Sequence, residues 1–278
     1  MSLQITSLNS GSNGNCYYVG NDQEAVLVDA GLSCRETERR MNRVGLSMAR
    51  VKAIFISHEH GDHIKGLDVI SRKYRLPVYI TWQTMKSGRL NLDPELVRPF
   101  REGEPVEIGR LSIHAFLKKH DAADPHSFVI SGNEVNVGVF TDLGIACDGL
   151  THYFRLCHAA FLEANYDEAM LENGRYPYHL KQRIRGGYGH LSNGQALEVF
   201  RNHRSPNLSH LLLAHLSKEN NCPLLAAEMF RPFAGNTQVV VASRYEPSPV
   251  FLVTPGSVAL SQEPLLALPQ RLVQASLF

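Results

Sequence analysis

Residues 54–63 constrain the fold of this 278-residue chain more than any other segment. The segment begins as an apolar strand and ends in the motif His58-x-His60-x-Asp62-His63. Imidazole and carboxylate groups bind zinc and other divalent metal ions, and a solvated polar loop has no need of so many of them. The segment therefore predicts a buried strand that presents metal ligands at its carboxyl end.

Composition limits the class of protein. The chain is 44% hydrophobic and 20% charged, which is ordinary for a globular protein, and we expect one domain over residues 1–278. The net charge is +1, so nucleic-acid binding would require a local basic patch. The five cysteines form no C-x-x-C pair, and no signal-like or membrane-length apolar segment is present. We expect a cytoplasmic protein without membrane association.

Three further ligand candidates follow predicted strands. His120 and His126 both follow one strand, and His120 is preferred because it lies closer to the strand end. Asp142 follows the next strand, and its carboxylate can bridge two metal ions. His215 follows the apolar run of residues 211–214. Because ligands bind outside the carboxyl ends of strands in α/β sheets, we expect these side chains to meet.

Two other acids end apolar strands. Asp29 is either a ligand or, preferably, the acceptor of a hydrogen bond from a ligating histidine. Glu163 has a direct role or braces a loop, and the sequence does not choose between them. The glycine-rich turn at residues 11–15 is interpreted as a hairpin connection rather than a phosphate cradle.

Residues 175–190 combine basic and aromatic side chains. Lys181, Arg183 and Arg185 occur there with Arg175 and three tyrosines, and no acid interrupts them. Such residues bind phosphates and stack bases, but they equally form solvated helix faces. His190 ends the stretch, and the capping-box spacing of Ser192 predicts a helix just beyond it.

The ligand motif resembles the signature of the metallo-β-lactamase superfamily. More distant resemblances are to its RNase Z-like and PhnP-like members, and a closer one is to the bacterial YycJ/WalJ group. The closer resemblance is carried by His120-Asp121-Ala122-Ala123-Asp124-Pro125, Leu162-Glu163-Ala164-Asn165-Tyr166, Gly189-His190-Leu191-Ser192-Asn193 and His215-Leu216-Ser217-Lys218-Glu219-Asn220-Asn221. It implies an α/β fold, a four-layer αββα sandwich without an inserted β-CASP domain.

The resemblance also implies a dinuclear metal site. One ion would be held by three histidines and the other by an acid and two histidines, with an aspartate bridging them. The two ligand sets and the bridge are, in order, His58, His60 and His120; Asp62, His63 and His215; and Asp142. The histidine count favours zinc, and the two carboxylates also suit manganese.

The function implied by the resemblance is hydrolysis of double-stranded DNA by an exonuclease that acts from the 5′ end. We expect a metal-bridging hydroxide to attack phosphorus, with Asp62 as a catalytic ligand and His190 protonating the leaving oxygen. Lys181, Arg183 and Arg185 would bind flanking phosphates. The alternatives are a phosphodiesterase for small cyclic phosphates and an acyl or thioester hydrolase. A silent nucleic-acid-binding module is disfavoured because the ligand set is complete.

Overall fold

The computed structural model describes residues 2–256. The tail after Pro264, to which the sequence assigns no role, lies outside these residues. The strands are β1 Leu3–Asn9, β2 Cys16–Gly20, β3 Ala25–Val28, β4 Val51–Phe55, β5 Val78–Tyr79, β6 Val97–Arg98, β7 Val106–Ile108, β8 Leu111–Leu117, β9 His126–Gly132, β10 Val135–Phe140, β11 Ala159–Glu163, β12 His210–Ala214, β13 Gln238–Val241 and β14 Phe251–Val253. The helices are α1 Cys34–Arg43, α2 Gly61–Ile64, α3 Leu67–Tyr74, α4 Trp82–Ser87, α5 Asp148–Phe154, α6 Glu168–Asn173, α7 Tyr178–Arg185, α8 Asn193–His203 and α9 Pro223–Phe230.

The strands form two mixed sheets. The first has the order β14-β1-β2-β3-β4-β5-β6 and the second the order β13-β12-β11-β10-β9-β8-β7. Strands β3 to β6 are parallel neighbours, as are β10 to β13. Parallel neighbours need crossover connections, which helices α1, α3, α5, α8 and α9 provide. The carboxyl ends of each parallel set therefore lie at one edge of its sheet.

Three apolar clusters define the layers. One joins side chains of the two sheets, including Tyr17, Phe55, Phe128 and Phe161. The other two cover the outer faces, one with α5, α8 and α9 and the other with α1 and α3. Burial on both faces of each sheet produces the helix–sheet–sheet–helix arrangement, because each sheet must cover two apolar faces. The predicted four-layer αββα fold is confirmed.

Three residues turn the chain sharply just after strand ends. Asp29, Asp142 and His215 have positive φ angles of 63°, 55° and 56°. This left-handed conformation is uncommon outside glycine and persists where the surrounding structure enforces it. All three side chains are buried at the edge where β3, β10 and β12 end.

The structure also differs from the sequence pattern in places. The polar residues Thr6, Ser7 and Asn9 of β1 are buried as well, and Thr6 Oγ1 donates to the Ser248 carbonyl oxygen over 2.9 Å. Strand β9 begins at His126, whose Nδ1 donates to the Asp124 carbonyl oxygen over 3.0 Å. The predicted capping box at Ser192 is present and starts α8.

No helix within residues 2–256 has the length and apolar character needed to cross a membrane.

Candidate metal centre

Three histidines converge in a first ligand group. His58 Nε2 lies 3.1 Å from His60 Nδ1, which in turn lies 3.3 Å from His120 Nε2. Burial lowers the pKa of His58 well below its usual value and the pKa of His120 to about 4. Neutral imidazoles have a lone pair free for a metal ion, so the three facing nitrogens form a suitable ligand group.

Hydrogen bonds fix the orientation of these rings. His120 Nδ1 donates to the carbonyl oxygen of Gly189 over 3.0 Å, and Ser57 Oγ lies 2.9 Å from His58 Nδ1. Each contact occupies the nitrogen that faces away from the centre. The opposite nitrogen is left to point at the other ligands, as is usual for metal-binding histidines.

A second group consists of one acid and two histidines. Asp62 Oδ2 lies 3.6 Å from His63 Nε2 and 3.5 Å from His215 Nε2. Burial lowers the pKa of His215, but the carboxylates of Asp142, Asp62 and Glu163 outweigh burial and raise it to about 10. The surroundings of the ring thus favour a positive charge, which a metal ion would supply on displacing the proton.

Asp142 lies between the two groups. Its Oδ2 is 3.2 Å from His63 Nε2, and its Oδ1 is 3.8 Å from His120 Nε2. One carboxylate therefore contacts a member of each group, as the predicted bridging ligand requires. Burial raises the pKa of Asp142, but the nearby imidazoles of His215 and His63 hold it well below the usual value.

Asp29 supports the first sheet's side of the centre. Its Oδ1 accepts from the Ser57 amide, and its Oδ2 accepts from Ser57 Oγ, both over 2.9 Å. Asp29 Oδ2 also accepts from His63 Nδ1 over 2.7 Å. This contact turns His63 Nε2 toward the centre, so the structure favours the supporting role over the ligand role.

Glu163 supports the second sheet's side. Its Oε2 accepts from the amides of Leu143 and Leu191 over 2.7 and 3.1 Å. Its Oε1 lies 2.8 Å from His190 Nδ1 and 3.0 Å from His215 Nδ1. Burial raises its pKa, but the two imidazoles overcome burial and lower it to about 2. Glu163 therefore both braces loops and orients two rings of the site.

Sequence reasoning also missed Asn15 and Lys118, which lie beside the ligands. Asn15 is fully buried, and its Nδ2 lies 3.1 Å from Asp62 Oδ2 and 3.0 Å from His63 Nε2. Its backbone amide donates to the Asp62 carbonyl oxygen over 2.7 Å. Lys118 is also buried, and its Nζ donates to the Thr141 carbonyl oxygen beside Asp142 over 2.7 Å. Burial lowers the pKa of Lys118.

Two backbone N–H groups of the turn at residues 11–15 are bonded within the turn. Gly11 N donates to Asn15 Oδ1 and Gly14 N donates to the Gly11 carbonyl oxygen, both over 2.9 Å. The predicted hairpin interpretation is confirmed, since the turn joins the antiparallel strands β1 and β2. The turn also contributes Asn15 to the site, which no local sequence signal marks.

The donor set fits divalent metal ions. Asp142 Oδ2 and His215 Nε2 are buried and have no hydrogen-bond partner of good geometry among residues 2–256. Such orphaned polar atoms are costly unless something else satisfies them. The carboxylates of Asp29, Asp142 and Glu163 are buried as well, and raised pKa values at His63 and His215 oppose them with protons. Divalent cations held among these atoms would replace those protons and satisfy the orphaned atoms.

The predicted phosphate-binding residues of helix α7 differ in their distance from the site. Helix α7 has no buried residue. Arg183 Nε pairs with Asp121 Oδ2 over 2.6 Å, and Asp121 Oδ1 lies 3.4 Å from His120 Nε2. Arg185 pairs with Glu172 over 2.8 Å, and Lys181 donates to the Glu172 carbonyl oxygen. The structure therefore brings Arg183 to the site, while Lys181 and Arg185 contact α6.

His190 and His126 occupy different places. The His190 ring lies 5.3 Å from the His120 ring and 5.2 Å from the His215 ring, with its side chain 21% exposed. His126 belongs to none of the potential ligand groups within residues 2–256. It packs edge-on against Phe100 instead, with ring centres 5.1 Å apart.

The fold and the ligand groups are those of a known family. The family model described as the β-lactamase superfamily domain matches residues 24–215, which is more than half of the chain. The chain therefore belongs to this superfamily. The predicted resemblance is confirmed.

Two curated relatives are similar to this chain over most of its length. The chain is 38% identical over 231 residues to the exodeoxyribonuclease YycJ of Bacillus anthracis, covering 81% of this chain and 87% of that protein. It is 34% identical over 229 residues to the exodeoxyribonuclease WalJ of Streptococcus pneumoniae R6, covering 81% and 85%.

Solved structures share the fold at low sequence identity. The metallo-β-lactamase fold protein YhfI of Bacillus subtilis has a TM-score of 0.69 at 16% identity, over 91% of this chain and 100% of that one. A diphosphatase of the PhnP family has a TM-score of 0.63 at 17% identity, over 91% and 99%. The short form of human tRNase Z has a TM-score of 0.59 at 16% identity, over 88% and 98%.

Proposed function

We propose that this protein is a metal-dependent nuclease, an exonuclease that hydrolyses double-stranded DNA from the 5′ end. The observation that carries the proposal is the pair of ligand groups joined by Asp142. The named exodeoxyribonucleases with which the chain shares 38% and 34% identity support DNA as the substrate. A site built from two such groups suits the displacement of one oxygen by another at phosphorus.

We assign two divalent ions to the centre. His58, His60 and His120 would hold one, and Asp62, His63 and His215 the other. Asp142 lies between the two ligand groups and would be shared by them. When bound, such a pair supplies a water of lowered pKa and offsets charge on the phosphate. The histidine-rich donor set favours zinc, and the carboxylates also suit manganese.

His190 is assigned as the general acid. Its Nδ1 donates to Glu163 Oε1 over 2.8 Å, which fixes the ring. In its protonated form the ring carries a second N–H at Nε2, and this proton passes to the leaving oxygen. The partial exposure of His190 leaves it accessible to a phosphate group between the ligand rings and α7.

Two surfaces would accommodate the rest of the substrate. On one side, Arg183 of α7 reaches the loop that carries His120, where it would exchange Asp121 for a flanking phosphate. Lys181 and Arg185 would contribute weaker contacts of the same kind. On the other side, a cavity of about 670 Å³ opens beside Asp62 and is lined by Ser12, Asn13 and Lys65. The DNA strand would enter the centre between these two surfaces.

We also place the protein in the cytoplasm. All five cysteines, at residues 16, 34, 147, 157 and 222, are free thiols in the structure. Free thiols without disulfides are typical of a reducing compartment.

A nuclease time course tests the proposed function. The full chain is incubated with 5′-labelled and 3′-labelled duplex DNA, single-stranded DNA and RNA, with Zn²⁺ or Mn²⁺ added. We expect metal-dependent release of nucleotides from the 5′ end, lost in Asp62→Ala. His190→Ala should retain both metal ions and turn over more slowly by about 10²-fold or more, the usual contribution of a general acid. Hydrolysis of cyclic phosphates without cleavage of any polymer would contradict the proposal.

A further inference from the structure

A cavity of about 330 Å³ lies near the metal centre and takes no part in the role proposed so far. Residues lining it include Trp82, Gln83, Phe100, Arg101, Asp124 and His126. Its volume is at the lower end of the range for small-molecule sites. We infer that this cavity binds one unpaired nucleobase of the DNA substrate, close to the scissile phosphate. The inference rests on the proposed function and adds a substrate subsite to it.

The topology places the cavity beside the ligand loop. Strands β4, β5 and β6 are parallel neighbours, so the segments that follow them lie at the same sheet edge. His58 follows β4, Trp82 follows β5 and Phe100 follows β6. Adjacent strands are about 4.8 Å apart, so the cavity lies about one to two strand spacings from the ligand loop. That distance corresponds to a few stacked nucleotides.

The cavity and the metal centre also share a wall. The amide of Ala123 donates to Glu59 Oε1, between His58 and His60. The amide of His126 donates to the Ser57 carbonyl oxygen, and both hydrogen bonds measure 2.9 Å. The segment that carries Asp124 and His126 is therefore fixed to the ligand loop. A base held in the cavity would be held at a defined position relative to the metal ions.

The chemistry of the lining suits a nucleobase. Trp82 is the chain's single tryptophan, and it is 67% exposed. Among residues 2–256 it has no aromatic or cationic partner, so its ring face is available for stacking. Base–aromatic stacking tolerates any base, because every base has a π face. The Gln83 amide, which has no hydrogen bond within the described part of the chain, can reach the polar edge of a stacked base.

The charge of the lining argues against a phosphate as occupant. Two carboxylates, Glu102 and Asp124, line the cavity, and Arg101 is the cation among the lining residues. The resulting negative balance repels a phosphodiester and tolerates a neutral base. Helix α7 differs, since it carries Lys181, Arg183 and Arg185. The sugar–phosphate backbone would lie toward α7, while one base leaves the stack and enters the cavity.

Such a base must be unpaired. A frayed or overhanging strand end has one at the smallest cost, because a base inside a duplex must first be unstacked and unpaired. A cavity that binds an unpaired base would therefore favour strand ends.

Tryptophan fluorescence tests the inference directly, since Trp82 is the sole tryptophan. The metal-loaded full chain is titrated with phosphorothioate oligonucleotides, which resist hydrolysis. One duplex carries a 5′ overhang, and a matched duplex has both ends closed by hairpins. We expect saturable quenching by the overhang and little by the closed duplex. Trp82→Ala has no tryptophan, so its affinity is measured, beside that of the wild type, by the fluorescence anisotropy of a dye-labelled overhang. It should bind about tenfold more weakly, within the range for loss of one stacked base.

Two variants serve as controls. Trp82→Phe retains an aromatic ring and should bind within about threefold of the wild type. Leu156→Ala removes another exposed apolar side chain, 47% exposed and located just after α5, and should bind like the wild type. In turnover assays Trp82→Ala should raise KM and leave kcat unchanged, because the base contact is equal in ground and transition states.

The outcomes separate this inference from the proposed function. If the wild type degrades DNA while its emission stays constant and Trp82→Ala keeps full affinity, the base subsite is wrong and the nuclease proposal stands. If no polymer is degraded, titration with deoxyadenosine decides: saturable quenching supports the base subsite, and its absence overturns it. Emission that changes with protein concentration alone would also overturn it, because a second copy would then cover Trp82.

Discussion

The ligand-bearing sheet edge and helix α7 differ in their burial and in the partners of their charged side chains. At the sheet edge, His58, His63 and Asp142 are buried and confined to fixed orientations. On α7 no residue is buried, and Arg183 and Arg185 are already paired with acids. The edge is therefore organised before substrate arrives, whereas α7 must exchange one ionic partner for another. We therefore expect substitutions at the sheet edge to reduce activity strongly and substitutions on α7 to reduce it weakly.

The largest effect should come from Asp142→Ala. This change removes the carboxylate that contacts both ligand groups. Since changes in residues that merely orient ligands cost 10–100-fold, we expect a loss of more than about 100-fold in kcat/KM. Metal analysis by mass spectrometry should show fewer than two ions per chain. A variant with two ions per chain and wild-type activity would contradict the assignment of Asp142 as the bridging ligand.

Metal removal should follow in size of effect. Each bound ion stabilises the folded state by about 2.7 kcal/mol at a concentration one hundred times its Kd. In a chain of this length, each kcal/mol shifts Tm by about 2–4 °C, so chelation should lower Tm by roughly 5–10 °C for each ion removed. Differential scanning calorimetry measures this, and restoring Zn²⁺ or Mn²⁺ should reverse it. The α7 variant Arg183→Gln should show the same shift as the wild type.

Asn15→Ala should weaken metal binding by about tenfold, the lower end for residues that hold a ligand. Asn15 Nδ2 fixes Asp62 Oδ2 over 3.1 Å. Competition with a chelating dye would measure the affinity. The control is Asn13→Ala in the same turn, whose exposed side chain donates to the Arg244 carbonyl oxygen. Equal affinities in the two variants would mean that Asn15 only supports the turn.

The smallest effect should come from Arg183→Gln. One lost phosphate contact should weaken DNA binding by a few-fold and reduce the slope of log affinity against log salt by about 0.9. Fluorescence anisotropy at several salt concentrations measures both quantities. Arg201→Gln on α8 is a matched control, since Arg201 stacks on Phe233 away from the site. An unchanged slope would mean that Arg183 does not contact a phosphate and that α7 is a solvated helix face.

Local patterns predicted the parts of the site that are local in the chain. Ligands at strand ends are visible because an apolar strand and its polar exit are adjacent. Asn15 is not visible, since it meets Asp62 across 47 positions. The partners of α7 are equally remote, because Asp121 is 62 positions from Arg183. Strand β6 is two residues long and gave no periodic signal, and so the cavity at Trp82 could not be predicted.

The left-handed turns at Asp29, Asp142 and His215 lower the stability of the folded protein, and they carry side chains that its activity needs. Each such conformation costs of order 1–3 kcal/mol, a substantial share of the net stability of a small domain. Glycine would relieve that cost and would discard the functional side chain. Selection for stability alone would therefore favour glycine at these positions, and the metal centre would lose their side chains. As long as activity is selected, the protein keeps a lower stability than glycine at these positions would give.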